Sequence, residues 1–250
     1  MESARAVLFD AAGIVALNKP AGVSLATRRS EPGAAVARLL GVVPSADRIA
    51  HNLVGEELLL VHRLDVGTTG LVLLARDAET HRTLARALAE RRVEKSYLAL
   101  VWGRPRPSRG EWNWPLAPDR RDRRRMCVAA DGRHAASGYE VSGGGRPVSL
   151  LLLRPHTGRT HQLRVHSARA GHPIVGDDLY GGPRHRGVRE AELRAVLQPT
   201  HPLLHAWHIR FALAGGEVEI VAPLPADFSA TLDAVGLGSI ALGVVQGTPS

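Results

Sequence analysis

Asp65 stands where a carboxylate needs a reason to be. It lies in the segment LVHRLDVGTTGLVLLARD, residues 60–77, between two apolar runs at 58–61 and 71–75. Both runs are short and continuous enough to be buried strands. A lone charge beside them is costly without a partner. Arg63 is two residues away, and on an extended segment the two side chains share a face. One reading is a structural ion pair at a strand–loop junction. The other is an ionised nucleophile or base, its pKa lowered by the guanidinium.

Other residues offer chemistry of their own. His156, His161, His166 and His172 crowd seventeen positions, yet they match neither the H-E-x-x-H nor the H-x-x-E-H pattern. The single cysteine, Cys127, adds no thiolate cluster. On a helix His161 and His166 point in different directions, so no metal site is expected. Asp177 and Asp178 with Asp65 suggest a magnesium-dependent nuclease; Gly-Asp-Asp is also plain turn chemistry. Arg159 and Arg164, in GRTHQLR, are suited to a phosphate or to Asp65, or are solvated surface arginines. The run DRRDRRR, residues 119–125, is a charged loop or a phosphate-contacting patch that includes Arg124 and Arg125.

The elements that must position these groups can be traced. A strand is expected over 12–18, closed by the turn Lys19-Pro20-Ala21-Gly22, and a short helix over 34–41. After strands at 58–61 and 71–75, Asp77 is placed to cap a helix over 78–92. Strands follow at 96–103 and 148–153, with a Gly-rich turn at 143–145. A helix over 160–170 ends at Gly171. A basic loop (181–190), a short helix and a strand pair around 203–221 come next. Residues 226–250 read as a tail that contributes little. No internal repeat or linker divides the chain, so residues 14–225 are expected to form one catalytic unit.

The bulk composition narrows the class. The 250 residues are 44% hydrophobic and 22% charged, the balance of a globular chain. The net charge of +8 favours a polyanionic partner, nucleic acid first. Of 32 basic residues only Lys19 and Lys95 are lysine. One cysteine, no signal-peptide pattern and no apolar run of membrane length point to the cytoplasm.

Taken in order, the motifs are specific. NKPAG is followed by HRLD-x-x-T-x-G-L, by E-K-x-Y-x-A-x-V-x-G, and by G-R-T-H-Q-L-R-x-H with G-H-P-I-x-G-D and Y-G after it. This series resembles the RluA-type family of pseudouridine synthases from about residue 14 to 225. The resemblance implies an α+β fold with a mixed, mostly antiparallel sheet bent around a catalytic cleft and flanked by helices. It implies catalytic Asp65, Tyr97 and Arg164, with Arg164 pairing the carboxylate and Tyr97 stacking on the base or relaying a proton. Arg63 is implied as an RNA contact once the target base leaves the stack. His62, Lys19, Lys95, Arg159, Arg124 and Arg125 complete the expected RNA-binding set. The partner is ribosomal or transfer RNA, the enzyme a monomer, and no cofactor or metal is needed for the isomerisation. Thr69 replaces the family's usual Ser, and residues 24–27 depart from its His-containing loop. The thirteen residues before Ile14 are too few for the S4 module that many members carry. A non-catalytic RNA-binding domain on the same fold is the competing reading, with the nuclease third.

Overall fold

The hairpin that begins the described chain turns on Ala12 and Gly13, both at positive φ (52° and 76°). That pair is the signature of a tight turn whose twist matches the flanking strands. It joins β1 (Val7–Ala11) to β2 (Ile14–Lys19) with Ala11 opposite Ile14. The computed structural model describes residues 6–26, 38–40, 57–213 and 215–246. Residues 38–40 are helical; the rest of the helix expected over 34–41 lies outside the described residues, apart from these.

The chain divides into two compact units: Met1–Lys95 with His205–Pro225, and Ser96–Leu204 with Ala226–Ser250. The range expected for the catalytic unit, 14–225, includes parts of both. The chain changes unit three times: twice inside strands, between Lys95 and Ser96 and between Leu204 and His205, and once after Pro225.

In the first unit the central strand is β4 (Thr69–Ala75), every residue of which is buried. It pairs antiparallel with β2, from Ile14 opposite Ala75 to Lys19 opposite Gly70. The expected strand at 58–61 is only β3 (Leu59–Leu60), a two-residue pairing with the far end of β4. β11 (Leu204–Leu213) runs parallel to the start of β4, with His205 opposite Thr69 and Ala206 opposite Gly70. Gly70 is required there: a Cβ would lie 2.2 Å from the Ala206 carbonyl oxygen, and its φ is +103°. β12 (Gly216–Val221) closes this unit as a hairpin on β11. Asp77 caps α1 (Ala78–Ala89), accepting from the N–H groups of Glu79 and Thr80.

The second unit is built on antiparallel pairings of β5 (Val93–Trp102) with β10 (Val148–Pro155), β10 with β9 (Ala136–Gly144), and β9 with β6 (Arg109–Asn113). A separate hairpin joins β7 (Leu116–Pro118) and β8 (Met126–Val128). α2 (Gln162–Arg169) packs against β8, β9 and β10. A short helix, α3 (Ala191–Val196), follows the basic loop. The strands of both units are thus mostly antiparallel with helices beside them, the α+β class expected.

Residues 226–250 were expected to form a tail that contributes little; the structure describes them as far as 246. They form α4 (Ala226–Ala234) and α5 (Gly238–Gln246), which pack on each other, and α5 lies against β9. Phe228, Leu232 and Leu237 are buried. Gly143 admits this approach, because a Cβ there would sit 2.6 Å from Ile240 Cδ1. Neither helix is long enough to be stable alone, so packing rather than propensity orders them. Phe228→Ala is accordingly expected to cost about 3–5 kcal/mol of unfolding free energy. A urea titration that leaves the midpoint unchanged would favour a tail that contributes little.

Candidate active site

Asp65 opens a β-turn: its carbonyl accepts the Thr68 N–H at 3.1 Å, and Val66 and Gly67 form the corner. The carboxylate is half-buried, between buried Leu64 and buried Thr68. The corner is held from beneath by Lys19, whose side chain is fully buried. The ammonium donates to the carbonyl oxygens of Pro20 at 2.9 Å, Val23 at 3.1 Å and Val66 at 3.1 Å. Three donors meet three acceptors, which is what a buried ammonium requires. Burial pushes Lys19 down to about 8, and the nearby Asp65 charge pulls the other way. Lys19 was expected among the RNA contacts. With no exposed surface it cannot touch RNA; it ties the turn at 20–23 to the turn that carries Asp65.

His62 has a similar fate. Its ring is half-buried, and Nε2 accepts the Leu73 N–H at 3.1 Å. Burial and the Lys95 ammonium push its pKa down to about 3, against an opposing hydrogen bond to the Arg63 backbone. The ring is therefore neutral and offers a phosphate no charge. Burial likewise lowers the pKa of half-buried Lys95. Arg63 is exposed.

A residue the motifs did not single out supports the same strand. His205 is fully buried, with Nδ1 at 2.8 Å from Thr69 Oγ1 and Nε2 at 3.2 Å from the Ala222 carbonyl oxygen. A carbonyl only accepts, so Nε2 carries the proton and Nδ1 takes the Thr69 hydroxyl. The hydroxyl at position 69 is thereby used. Nothing in the local sequence marks His205, which lies 136 residues from its partner.

In the second unit Tyr97 is a half-buried residue of β5, packed against a cluster that includes Ala99, Leu153 and Leu163. Arg164 is on α2, a helix polar in sequence and yet buried from Gln162 to Ser167. The polar groups are matched inside. Gln162 donates to the Ala136 carbonyl and Ser137 Oγ, and accepts from Thr157 Oγ1 and the Arg159 N–H. His166 bonds Ser137 Oγ and the Trp114 carbonyl, and burial lowers its pKa. Arg164 donates Nε to Asp177 Oδ2 at 2.7 Å and Nη2 to Oδ1 at 2.8 Å. Asp177 is 2% exposed, so the plain-turn reading of this residue misses its main role. Asp178, beside it, is exposed. The Tyr180 ring lies beneath the Arg164 guanidinium at 5.0 Å and beneath that of Arg125 at 5.3 Å. Its hydroxyl bonds His161 Nδ1 at 2.7 Å and the Met126 N–H at 2.8 Å.

The four histidines of this region thus have separate surroundings: His172 binds the Trp102 carbonyl, and exposed His156 lies 3.7 Å from Glu111. Among the described residues no cluster of His, Cys, Asp and Glu is arranged as a metal site.

The basic loop is partly neutralised by its own acids. Arg124 forks onto Asp122, whose carboxyl falls to about 2 through those bonds. Arg125 lies 4.0 Å from Asp119 as well as over Tyr180. The Arg124 pair is 80% and 28% exposed, a screened contact that a phosphate can replace at little cost. Arg159 donates Nε to the His134 carbonyl.

Comparison with known proteins adds an independent finding. The profile of the family described as RNA pseudouridylate synthase matches residues 13–169. A protein of Mycobacterium bovis named as an uncharacterized RNA pseudouridine synthase is 36% identical over 228 residues, covering 90% of this chain and 71% of its own length. One from Chloroflexus aurantiacus is 40% identical over 86% of this chain and 64% of its own. The ribosomal large subunit pseudouridine synthase D of Haemophilus ducreyi is 38% identical over 70% of this chain and 55% of its own. In three dimensions the human RNA pseudouridylate synthase domain containing 4 superposes with a TM-score of 0.71 at 26% identity, covering 92% of each chain.

Two outcomes follow from the geometry. Asp177→Asn removes the charge facing a buried guanidinium and is expected to cost about 3–5 kcal/mol, read from urea unfolding; an unchanged midpoint would show that Arg164 needs no such partner. His62 ties stability to pH. Its folded pKa, about 3, lies below the ordinary 6.5, so between these values the unfolded chain binds the extra proton. The His62 contribution is complete above about pH 6.5 and is lost as pH falls toward 3. His62→Gln cannot charge and is expected to show a shallower loss of stability between pH 7 and 4.5; equal slopes would contradict the neutral ring.

Proposed function

This chain belongs to the RNA pseudouridylate synthase family, and on that premise we propose that Asp65 is its catalytic carboxylate and that its substrate is a uridine of ribosomal or transfer RNA. The observation that carries the reading is the extent of the family match. Residues 13–169 include Asp65, Tyr97 and Arg164, the residues the motif order singles out. Relatives from Haemophilus ducreyi and Nitrosomonas europaea are named as ribosomal large subunit enzymes, which favours ribosomal over transfer RNA. The work is assigned to the cytoplasm.

The isomerisation breaks N1–C1′ and forms C5–C1′. The hydrogen on C5 leaves as a proton and N1 gains one, so composition and redox state are unchanged. The step needs a carboxylate that is ionised at neutral pH and held firmly. The turn supplies the second condition, since its corner carbonyl is fixed by Lys19. Arg164 is assigned to pairing that carboxylate. Tyr97 is assigned to stacking on the base and to passing the C5 proton. The uridine must leave its stack to be reached, and exposed Arg63 is suited to bracing the vacated space.

The test uses RNA labelled with tritium at uridine C5, taken from cells lacking this protein and separated into ribosomal and transfer pools. Wild type is expected to release tritium from the ribosomal pool in the presence of EDTA. Asp65→Ala should lose at least about a hundredfold in rate while still binding RNA. Release retained by Asp65→Ala would remove it from the chemistry. Chain cleavage abolished by EDTA would favour the nuclease reading. Equal rates for Tyr97→Phe and wild type would confine Tyr97 to stacking.

A further inference from the structure

Val66 has no local reason to be valine. It occupies the first corner of the Asp65 turn, closed by the Thr68 N–H on the Asp65 carbonyl. Corners of this kind favour Pro, Gly, Asn, Asp or Ser, each for a backbone reason that a β-branched apolar residue does not share. Val66 is also the most exposed large apolar side chain among the described residues, at 49% against 39% for Val221 and 38% for Leu59. A single exposed apolar side chain is ordinary on a protein surface and by itself means little. What separates Val66 is its anchorage. Its carbonyl oxygen accepts the buried Lys19 ammonium at 3.1 Å and the Gly22 N–H at 2.8 Å. The neighbours on its element, Leu64 and Thr68, are buried. The backbone of residue 66 is therefore drawn inward at two points while its side chain stands out to solvent. It sits one residue from Asp65 and three from exposed Arg63.

We propose that Val66 is an apolar RNA contact, a short fixed wedge that packs on the face of the base next to the target uridine. The idea rests on the proposed function of Asp65 and extends it to a residue outside the chemistry. Apolar side chains inserted at base steps hold unstacked nucleotides apart. Every base has a face for such a contact, so it tolerates sequence. Valine suits the task energetically: it has one stiff side-chain torsion and loses little freedom on binding. Arg63 contributes charge and a planar guanidinium, and Val66 contributes an apolar surface beside the carboxylate-bearing residue.

The test compares wild type, Val66→Ser and Val66→Ile on the tritiated ribosomal RNA pool, with urea unfolding to verify that the exposed substitutions leave stability unchanged. Val66→Ser is expected to lower kcat/KM about fivefold to tenfold, with the change carried by KM, and Val66→Ile to restore it. Filter binding of the same RNA over a range of salt provides the second readout. Loss of an apolar contact lowers affinity at every salt concentration with the same slope, whereas loss of a phosphate contact reduces the slope by about 0.7–0.9. Wild-type KM and affinity in Val66→Ser would overturn the proposal, as would a loss that appears only as a change of slope. If wild type releases no tritium from either pool, the proposed function fails; weaker RNA binding by Val66→Ser would then still support the contact.

Discussion

A buried ammonium bonded to three carbonyls organises the turn on which Asp65 sits. Removing an ammonium from water is expensive, and the cost is met only when each donor finds an oxygen. Two of those oxygens belong to residues 20 and 23 and the third to residue 66, so the bond set closes two turns onto each other. A pKa of about 8 leaves the group mostly protonated at neutral pH. A guanidinium could not replace it: its donors lie in a planar fork, and the site asks for a compact centre. A chain that uses arginine for nearly all of its 32 basic residues keeps lysine here.

The strand that follows the turn imposes a second constraint. β4 has no exposed residue, and its first two positions meet β11 at closest approach through Gly70. The bond between Thr69 and His205 fixes the strand at that point. Flexibility at Asp65 is therefore limited on both sides, by Lys19 beneath the corner and by His205 at the strand entry. In the second unit Arg164 receives comparable treatment. Its helix carries Gln162 and His166 inward, each satisfied by fixed partners, and Asp177 holds the guanidinium at two points. A buried ion pair of this kind is weak evidence for stability but strong evidence for a defined orientation.

How much was legible in the sequence varied with the range of the cause. The Asp77 cap, the turn at Lys19-Pro20 and the helix ending before Gly171 were readable because the deciding residues are neighbours. The motif order carried the family, since several separated segments agree at once. The opening hairpin was missed because its turn uses Ala12 before Gly13, where Asn would have announced it. The burial of Arg164 was not readable: its partner lies thirteen residues on, in a Gly-Asp-Asp sequence that also describes an ordinary turn. His205 and the two C-terminal helices escaped for the same reason, because their roles depend on Thr69 and on β9, far away in the chain.

These distances suggest why a carboxylate was set on a turn at the mouth of a buried strand. A charge in a strand interior is costly to bury, and a free loop would let the carboxylate wander. At the strand entry the backbone is fixed by neighbours on one side while the side chain remains half-exposed on the other. The corner then presents three residue types in four positions: the guanidinium of Arg63, the carboxylate of Asp65 and the methyl groups of Val66. Under the proposed function they differ in the part of an RNA strand each would meet, namely phosphate or stacked plane, reacting nucleotide and apolar base face. Because one lysine anchors the corner, their spacing is set by the same bonds that keep the carboxylate in place.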